Sequence, residues 1–182
     1  RVQGFVPVDA LSVRVFRLSE QAAVHEWRSW LPGIHRVRHQ AIRSGTMDGA
    51  DGLTLVRTQI ESIRGRDVEG VFRQDVTLPP FPPGMYAVSV EGQPAAARTL
   101  FTVTDLGVVV KYTNGEALVY ASDLKTGEPA AGATIELLSL EDTVAQATTG
   151  SDGRATLSLA SLRRNTQSAF VARRGQSTAV AT

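Results

Sequence analysis

The sequence predicts an all-β protein made of two consecutive antiparallel β-sandwich domains of the fibronectin or immunoglobulin type, with a short helix in the first. Apolar residues recur mostly at every second position, as in strands that bury one face. Turn residues interrupt these runs at short intervals, which is typical of a sandwich. The 182 residues suffice for two domains of roughly 80 to 100 residues, each with its own core. We therefore expect domains at residues 1–103 and 104–182.

Alternation of apolar and polar residues marks the strands of the first domain. It occurs at Leu11 to Val15, Leu53 to Val56, Val71 to Leu78 and Tyr86 to Glu91. Each of these stretches is expected to form a strand that is half buried on one face. A further strand, Arg98 to Val103, is expected to close the domain.

One stretch of the first domain has helical periodicity instead. Ser19 is a good N-cap residue, and Val24 and Trp27 follow at helical spacing. A short helix is therefore predicted around Ala22 to Ser29, and the Pro-Gly pair that follows should end it. We expect Trp27 and Trp30 to pack against the sheet.

Two further stretches have loop chemistry. Residues 43–52 combine glycines with Asp48 and Asp51, but their spacing lacks the alternating ligands and terminal Glu of a calcium loop, so an exposed loop is expected. The proline-rich stretch from Leu78 to Gly84 cannot join a ladder of strand hydrogen bonds. It should form a rigid turn that precedes the strand Met85 to Val90.

Seven strand-length runs separated by turn residues make up the second domain. Asn114-Gly115 between the first two runs is a strong hairpin signal. Thr104 and Asp105 leave only a short join to the first domain, which should restrict relative motion. The predicted strands are Gly107 to Tyr112, Ala117 to Ser122, Thr134 to Ser139, Val144 to Thr148, Ala155 to Leu159, Ser168 to Arg173 and Ser177 to Thr182.

The composition excludes several classes of protein. With 42% hydrophobic residues and no cysteine, the chain is not a disordered tail, a disulfide-stapled miniprotein, a Cys-ligated zinc protein or a thiol enzyme. The 19 basic and 18 acidic residues give no nucleic-acid-binding footprint. The longest aliphatic run, Val108 to Val110, is far too short for membrane insertion. Because the chain opens without Met or a leader, we expect it to be part of a longer protein.

No catalytic, cofactor-binding or metal-binding residues are predicted. The histidines, His25, His35 and His39, all lie in the first domain. His35 and His39 are four residues apart, but Arg36 and Arg38 flank them with positive charge and no glutamate completes a zinc-protease motif. The sequence contains no nucleophile elbow, Walker loop or dinucleotide fingerprint. We therefore expect a protein that is not an enzyme and needs no cofactor.

Three stretches of the second half carry a resemblance to a known family: FTVTDLGVVVK at 101–111, NGEALVYASDLKTGEPAAGATIEL at 114–137 and TGSDGRA at 149–155. Together they resemble a macroglobulin (MG) domain of the bacterial α2-macroglobulins. The first domain, with VDALSVRVFR at 8–17 and PGMYAV at 83–88, is similar to the MG domain that comes just before it in that family.

The matched residues also have physical reasons to be present. Gly127 and Gly132 bracket a Glu-Pro pair where the chain should turn sharply and cross to the other sheet. Asp152-Gly153 supplies a tight turn before the next strand. We expect Gly132 and Gly153 to have positive φ, and we interpret all of these residues as determinants of the fold.

The resemblance implies a structural scaffold role in a bacterial α2-macroglobulin-like broad-spectrum proteinase inhibitor that traps proteinases. The implied partners are proteinases trapped by the full-length parent and neighbouring MG domains of the same chain. The implied location is the periplasm or the cell envelope. Many members of the family carry a thioester between a Cys and a Gln, and without cysteine that group cannot lie within these 182 residues.

An alternative hypothesis assigns the chain to a bacterial surface adhesin or polysaccharide-binding protein, with the sandwiches as spacers or ligand-binding modules. Trp27, Trp30, Phe81 and Tyr86 lying coplanar on one surface would suit stacking on sugars. Burial of these four rings would remove the main physical basis of this hypothesis.

Overall fold

The structure is a computed structural model that describes residues 2–4, 9–23, 47, 50–66, 70–92, 95–113, 115–139, 142–162 and 168–181. The strands of the N-terminal half, residues 1–103, are β1 Val2–Gly4, β2 Ala10–Leu18, β3 Leu53–Ser62, β4 Phe72–Gln74, β5 Gly84–Gly92 and β6 Ala95–Val103. Those of the C-terminal half, residues 104–182, are β7 Leu106–Tyr112, β8 Glu116–Asp123, β9 Thr134–Ser139, β10 Thr143–Thr148, β11 Arg154–Ser158, β12 Ser168–Arg174 and β13 Ser177–Ala181.

In the described part of the chain, all paired strands are antiparallel, and each sheet belongs to one half. In the N-terminal half, β3, β2, β5 and β6 form a four-stranded sheet in that order, and β1 pairs with β4. In the C-terminal half, β10-β9-β12-β13 and β11-β8-β7 form sheets of four and three strands. The predicted all-β antiparallel fold is confirmed.

Strand β2 supplies buried residues to both faces of its sheet. Its pairing with β3 shifts register between Val15 and Phe16, where Val56 of β3 has no partner on β2, whereas its pairing with β5 continues without a shift. Val13 and Val15 pack with Tyr86 in one apolar cluster, and Phe16 packs in a second cluster with Met85. Because Met85 and Tyr86 are adjacent on β5, the two clusters lie on opposite faces of the sheet.

The expectation of strands buried on one face is wrong for two strands of the N-terminal half. Strand β5 lies between β2 and β6 and buries consecutive residues from Gly84 to Ser89 on both faces. Strand β3 lies at the edge of the sheet and is mostly exposed, with Ile60 at 66% relative exposure. Alternation in the sequence is the same for central and edge strands, so it did not distinguish them.

The predicted strand Val71 to Leu78 is shorter in the structure, where β4 covers only Phe72–Gln74. The residues that follow are not in a strand, yet Val76, Leu78 and Phe81 pack against the cluster formed by Val13 and Tyr86. This segment therefore covers one face of the sheet through side-chain packing, without pairing to a neighbouring strand.

The start of the predicted helix is visible in the structure. Residues 20–23 are helical, and the backbone N–H of Ala22 donates to Ser19 Oγ at 3.2 Å, as expected for an N-cap serine. The remainder of the predicted helix, Trp27 and Trp30 included, lies outside the described residues.

The C-terminal half has the seven strands predicted from the sequence, each within about one residue of the expected bounds. Its two sheets enclose a single apolar cluster in which Val119 of β8, Ile135 and Leu137 of β9 and Phe170 of β12 are fully buried. The β7–β8 hairpin closes through a hydrogen bond from Thr113 N to Glu116 O at 2.8 Å. Gly115 has a φ of 90°, as the hairpin turn requires, whereas Asn114 lies outside the described residues.

Candidate functional site

Tight packing explains why glycine occupies position 153 in the turn between β10 and β11. Its φ is 73°, and an added Cβ would lie 2.5 Å from the backbone oxygen of Ala121. Gly132 has a similar φ of 71°, but nothing lies within 4 Å of the place a Cβ would take. The predicted positive φ of both glycines is confirmed, and only Gly153 is also needed for close approach of two backbone segments.

A buried threonine holds the crossing between the two sheets of the C-terminal half. Thr149 Oγ1 donates to Ala130 O at 2.6 Å and accepts from Ala133 N at 2.8 Å. The backbone N–H of Thr149 also donates to Ala133 O at 2.9 Å. One side chain therefore satisfies polar backbone groups on both sides of Gly132 in the protein interior. Sequence reasoning missed this residue, because a threonine at a strand end carries no distinguishing signal.

Asp123 organises the turn that follows β8. Its Oδ1 accepts from Lys125 N at 2.9 Å and Thr126 N at 3.3 Å, and its Oδ2 binds Arg174 Nη2 at 2.7 Å. The backbone hydrogen bond from Lys125 leads the effects that hold the pKa of Asp123 below its usual 3.8. The DLKTG sequence at 123–127 is the signal that could have revealed it, since an Asp that caps its own turn is common before glycine.

The join between the two halves is attached to the C-terminal half. Leu106 N donates to Thr104 Oγ1 at 3.0 Å, and Leu124 N donates to Asp105 O at 2.7 Å. Lys125 Nζ lies 2.9 Å from Asp105 Oδ2, and this hydrogen bond raises the pKa of Lys125 above 10.5. Thr104 and Asp105 are therefore held as an extension of the C-terminal half.

A cleft of about 540 Å³ lies between the halves. The N-terminal half lines it with residues that include Arg17, Glu20 and Gly84, and the C-terminal half with residues that include Glu136, Arg173 and Gln176. Several of its charges are matched: Arg173 binds both Glu20 and Glu136, and Arg174 binds Asp123. The contact of Arg173 with Glu20 joins the two halves, and the other two lie within the C-terminal half.

Two of the four aromatic residues named by the adhesin hypothesis, Phe81 and Tyr86, pack against each other in the N-terminal half. Tyr86 is only 1% exposed, donates its hydroxyl to Pro82 O at 2.8 Å and stacks on Phe101, and Phe81 packs against the same two rings. These rings therefore give no sugar-stacking surface. The other two aromatic candidates of the adhesin hypothesis, Trp27 and Trp30, lie outside the described residues.

Metal binding has no support in the part of the chain that can be described. There, no group of three or more His, Asp or Glu side chains is arranged to hold a metal ion. Asp51 is an exposed turn residue, while Asp48 and the three histidines His25, His35 and His39 lie outside the described ranges. Within those ranges, the helical residues also include no segment long and apolar enough to cross a membrane.

Comparison with known proteins agrees with this geometry. Residues 103–182 match the family described as the bacterial alpha-2-macroglobulin MG3 domain. Over these residues the chain is similar to an MG domain of the bacterial α2-macroglobulins. The matched segment includes all strands from β7 to β13, so the similarity covers both sheets of the C-terminal half. Among curated proteins, no relative of the chain was found.

Solved α2-macroglobulin structures share the fold over nearly the whole chain. A native Escherichia coli structure spanning domains NIE-MG1 is 18% identical, with a TM-score of 0.72, and the match covers 97% of this chain and 84% of that one. A second, spanning MG0-NIE-MG1, is 20% identical with a TM-score of 0.71, covering 97% and 55%. The Salmonella α2-macroglobulin mutant Y1175G is 20% identical with a TM-score of 0.66, covering 96% and 10%.

Proposed function

We propose that residues 1–103 and 104–182 are two consecutive structural domains of a bacterial α2-macroglobulin-like proteinase inhibitor that traps proteinases of broad specificity. The observation that carries this proposal is the MG3 family match at residues 103–182, which coincides with two sheets closed around one core. The match starts at the last residue of β6, which supports a domain boundary between residues 103 and 104.

The architecture suits a shell that encloses a large partner. Enclosure requires units that keep their shape and joins that limit their relative movement. The C-terminal half has a continuous apolar core, and Asp105 attaches the join to that half through its backbone oxygen and its carboxylate. Strand β13 also lies against β5 and β6 of the N-terminal half, so the halves are in contact beyond the join.

The proposal assigns partners and a location by family membership. Proteinases would be bound by the full-length parent, and neighbouring MG domains would contact this chain. The solved relatives include chains with an additional adjacent domain, which supports the second expectation. The relatives are bacterial proteins of Escherichia coli and Salmonella, and we propose the periplasm or cell envelope as the location.

The proposal can be tested with the full-length parent and a panel of unrelated proteinases. Each proteinase is incubated with the parent, and its residual activity is measured on a large protein substrate and on a small chromogenic peptide. Enclosure predicts a much greater loss of activity on the large substrate, because the small peptide can still reach the active site. The isolated 182-residue chain is the matched control and should affect neither activity. Equal loss on both substrates would contradict enclosure and indicate a blocked active site.

A further inference from the structure

An ion pair connects the two halves of the chain. Arg173 Nε on β12 lies 3.3 Å from Glu20 Oε1, at the start of the helical turn after Ser19. The same guanidinium binds Glu136 on β9 through its Nη1. Arg173 therefore has one acidic partner in each half of the chain.

The two partners of Arg173 differ in exposure. The side chains of Arg173 and Glu136 are only 16% and 19% exposed, whereas that of Glu20 is 73% exposed. An ion pair with so exposed a partner is weak and is screened by salt. If Glu20 moves away, Arg173 keeps Glu136, so no unpaired cation is left in a partly buried place. The contact between the halves can consequently open at little electrostatic cost.

Both members of this pair are held by their own halves. Ser19, which precedes Glu20, donates its N–H to Gly52 O at 2.7 Å, and β12 pairs with a strand on each side. Because Thr104 and Asp105 are attached to the C-terminal half, the backbone between Val103 and Thr104 is where the halves can rotate. The cleft beside Arg173 gives that rotation room.

We propose that Glu20 and Arg173 form a salt-sensitive latch across the cleft that favours the observed arrangement of the two halves, with the backbone between Val103 and Thr104 as its hinge. The latch adds to the contacts of β13 with β5 and β6 in setting the relative orientation of the two halves, and it does not depend on proteinase trapping. Its weakness lets modest changes in ionic strength or in neighbouring contacts alter that orientation.

Because the chain has no cysteine, two labels can be placed without other changes. Thr58→Cys on β3 and Thr156→Cys on β11 put one exposed label in each half. Distances between the labels are then measured by pulsed electron paramagnetic resonance in the otherwise unaltered chain, in Glu20→Gln and in Glu128→Gln. Glu128 is exposed and lies outside the cleft, so its variant is a matched control for the change in charge.

At low salt, Glu20→Gln should raise the population with an open cleft about two- to fivefold relative to the otherwise unaltered labelled chain. Raising the salt to about 0.5 M should shift the distance distribution of the unaltered chain towards that of Glu20→Gln and leave the distribution of that variant unchanged. Glu128→Gln should give the same distance distribution as the unaltered chain, and Glu20→Lys should open the cleft further than Glu20→Gln does. The latch proposal would be overturned by identical distance distributions for the unaltered chain and Glu20→Gln. A distribution of the unaltered chain that does not depend on salt would also overturn it. Circular dichroism of each variant confirms that the fold is retained.

Discussion

Replacing Gly153 by alanine is expected to destabilise the C-terminal half far more than the same change at Gly132 or Gly127. The three glycines have φ angles of 73°, 71° and 77°, so alanine has nearly the same left-handed backbone cost at each, about 1 kcal/mol. They differ in the space available. At Gly132 and Gly127 a new methyl group meets nothing within 4 Å, whereas at Gly153 it lies 2.5 Å from Ala121 O.

The contact at Gly153 cannot be relieved by rotating a side chain. Ala121 donates its N–H to Gly153 O at 2.8 Å, and its own oxygen accepts from Ala130 N at 2.9 Å, so three backbone segments are tied together. Separating them to make room adds about 1 to 3 kcal/mol of packing strain. Gly153→Ala should then lower the free energy of unfolding by about 2 to 4 kcal/mol, whereas each of the other two variants should lower it by about 1 kcal/mol.

Thermal unfolding followed by circular dichroism measures this difference. For a chain of this length, the melting temperature should fall by roughly 10 °C for Gly153→Ala and by roughly 3 °C for Gly132→Ala and Gly127→Ala. Equal losses for the three variants would show that the left-handed conformation alone determines the cost and that close approach at Gly153 has no role.

Three further predictions concern single side chains, each checked by equilibrium unfolding. Thr149→Val should lower the free energy of unfolding by about 2 kcal/mol, because buried backbone groups of Ala130 and Ala133 lose their partner, while Thr148→Val at an exposed position should change it little. Equal effects of the two variants would contradict the role of the Thr149 hydroxyl. Tyr86→Phe should lower the free energy of unfolding by about 1 kcal/mol, because it removes the hydrogen bond from the Tyr86 hydroxyl to Pro82 O. An unchanged free energy of unfolding would contradict a stabilising role of this hydrogen bond. The pKa of Asp123 is lowered in the folded chain, so its stabilising effect is complete above 3.8 and is lost as pH falls through the folded value. Asp123→Asn should therefore weaken the dependence of the free energy of unfolding on pH in the acidic range. An unchanged dependence would refute this role of Asp123.

The C-terminal half was predictable because its local signals agree with one another. Turn residues such as Gly115 and Gly153 occur where the chain reverses, and apolar residues alternate between them, so the positions of all seven strands followed from the sequence. The family resemblance named on these residues is confirmed by the match at 103–182.

The N-terminal half was harder to predict because its sheet depends on distant contacts. Strand order decides that β5 is central and β3 is at the edge, and alternation carries no information on strand order. Strand alternation places Val15 and Phe16 of β2 on opposite faces, but only contacts distant in the sequence decide that both faces are covered. Val76 and Leu78 alternate as a strand would, yet they cover the sheet without pairing to it.

The contacts between the halves were outside the reach of sequence reasoning. Glu20 and Arg173 are more than one hundred and fifty positions apart, and only the completed fold brings them together. Thr149 likewise acts on residues 130 and 133 across a turn whose course the sequence does not specify. Both depend on tertiary placement, which propensity and periodicity do not encode.

We propose that this chain contributes structure to a proteinase trap and has no inhibitory action of its own. The most direct test is titration of the isolated 182-residue chain against several unrelated proteinases, with activity followed on a large protein substrate. Proteinase activity should be unchanged at every ratio of chain to proteinase, and the chain should remain folded. Stoichiometric inhibition by the isolated chain would contradict the scaffold assignment and identify a direct inhibitor.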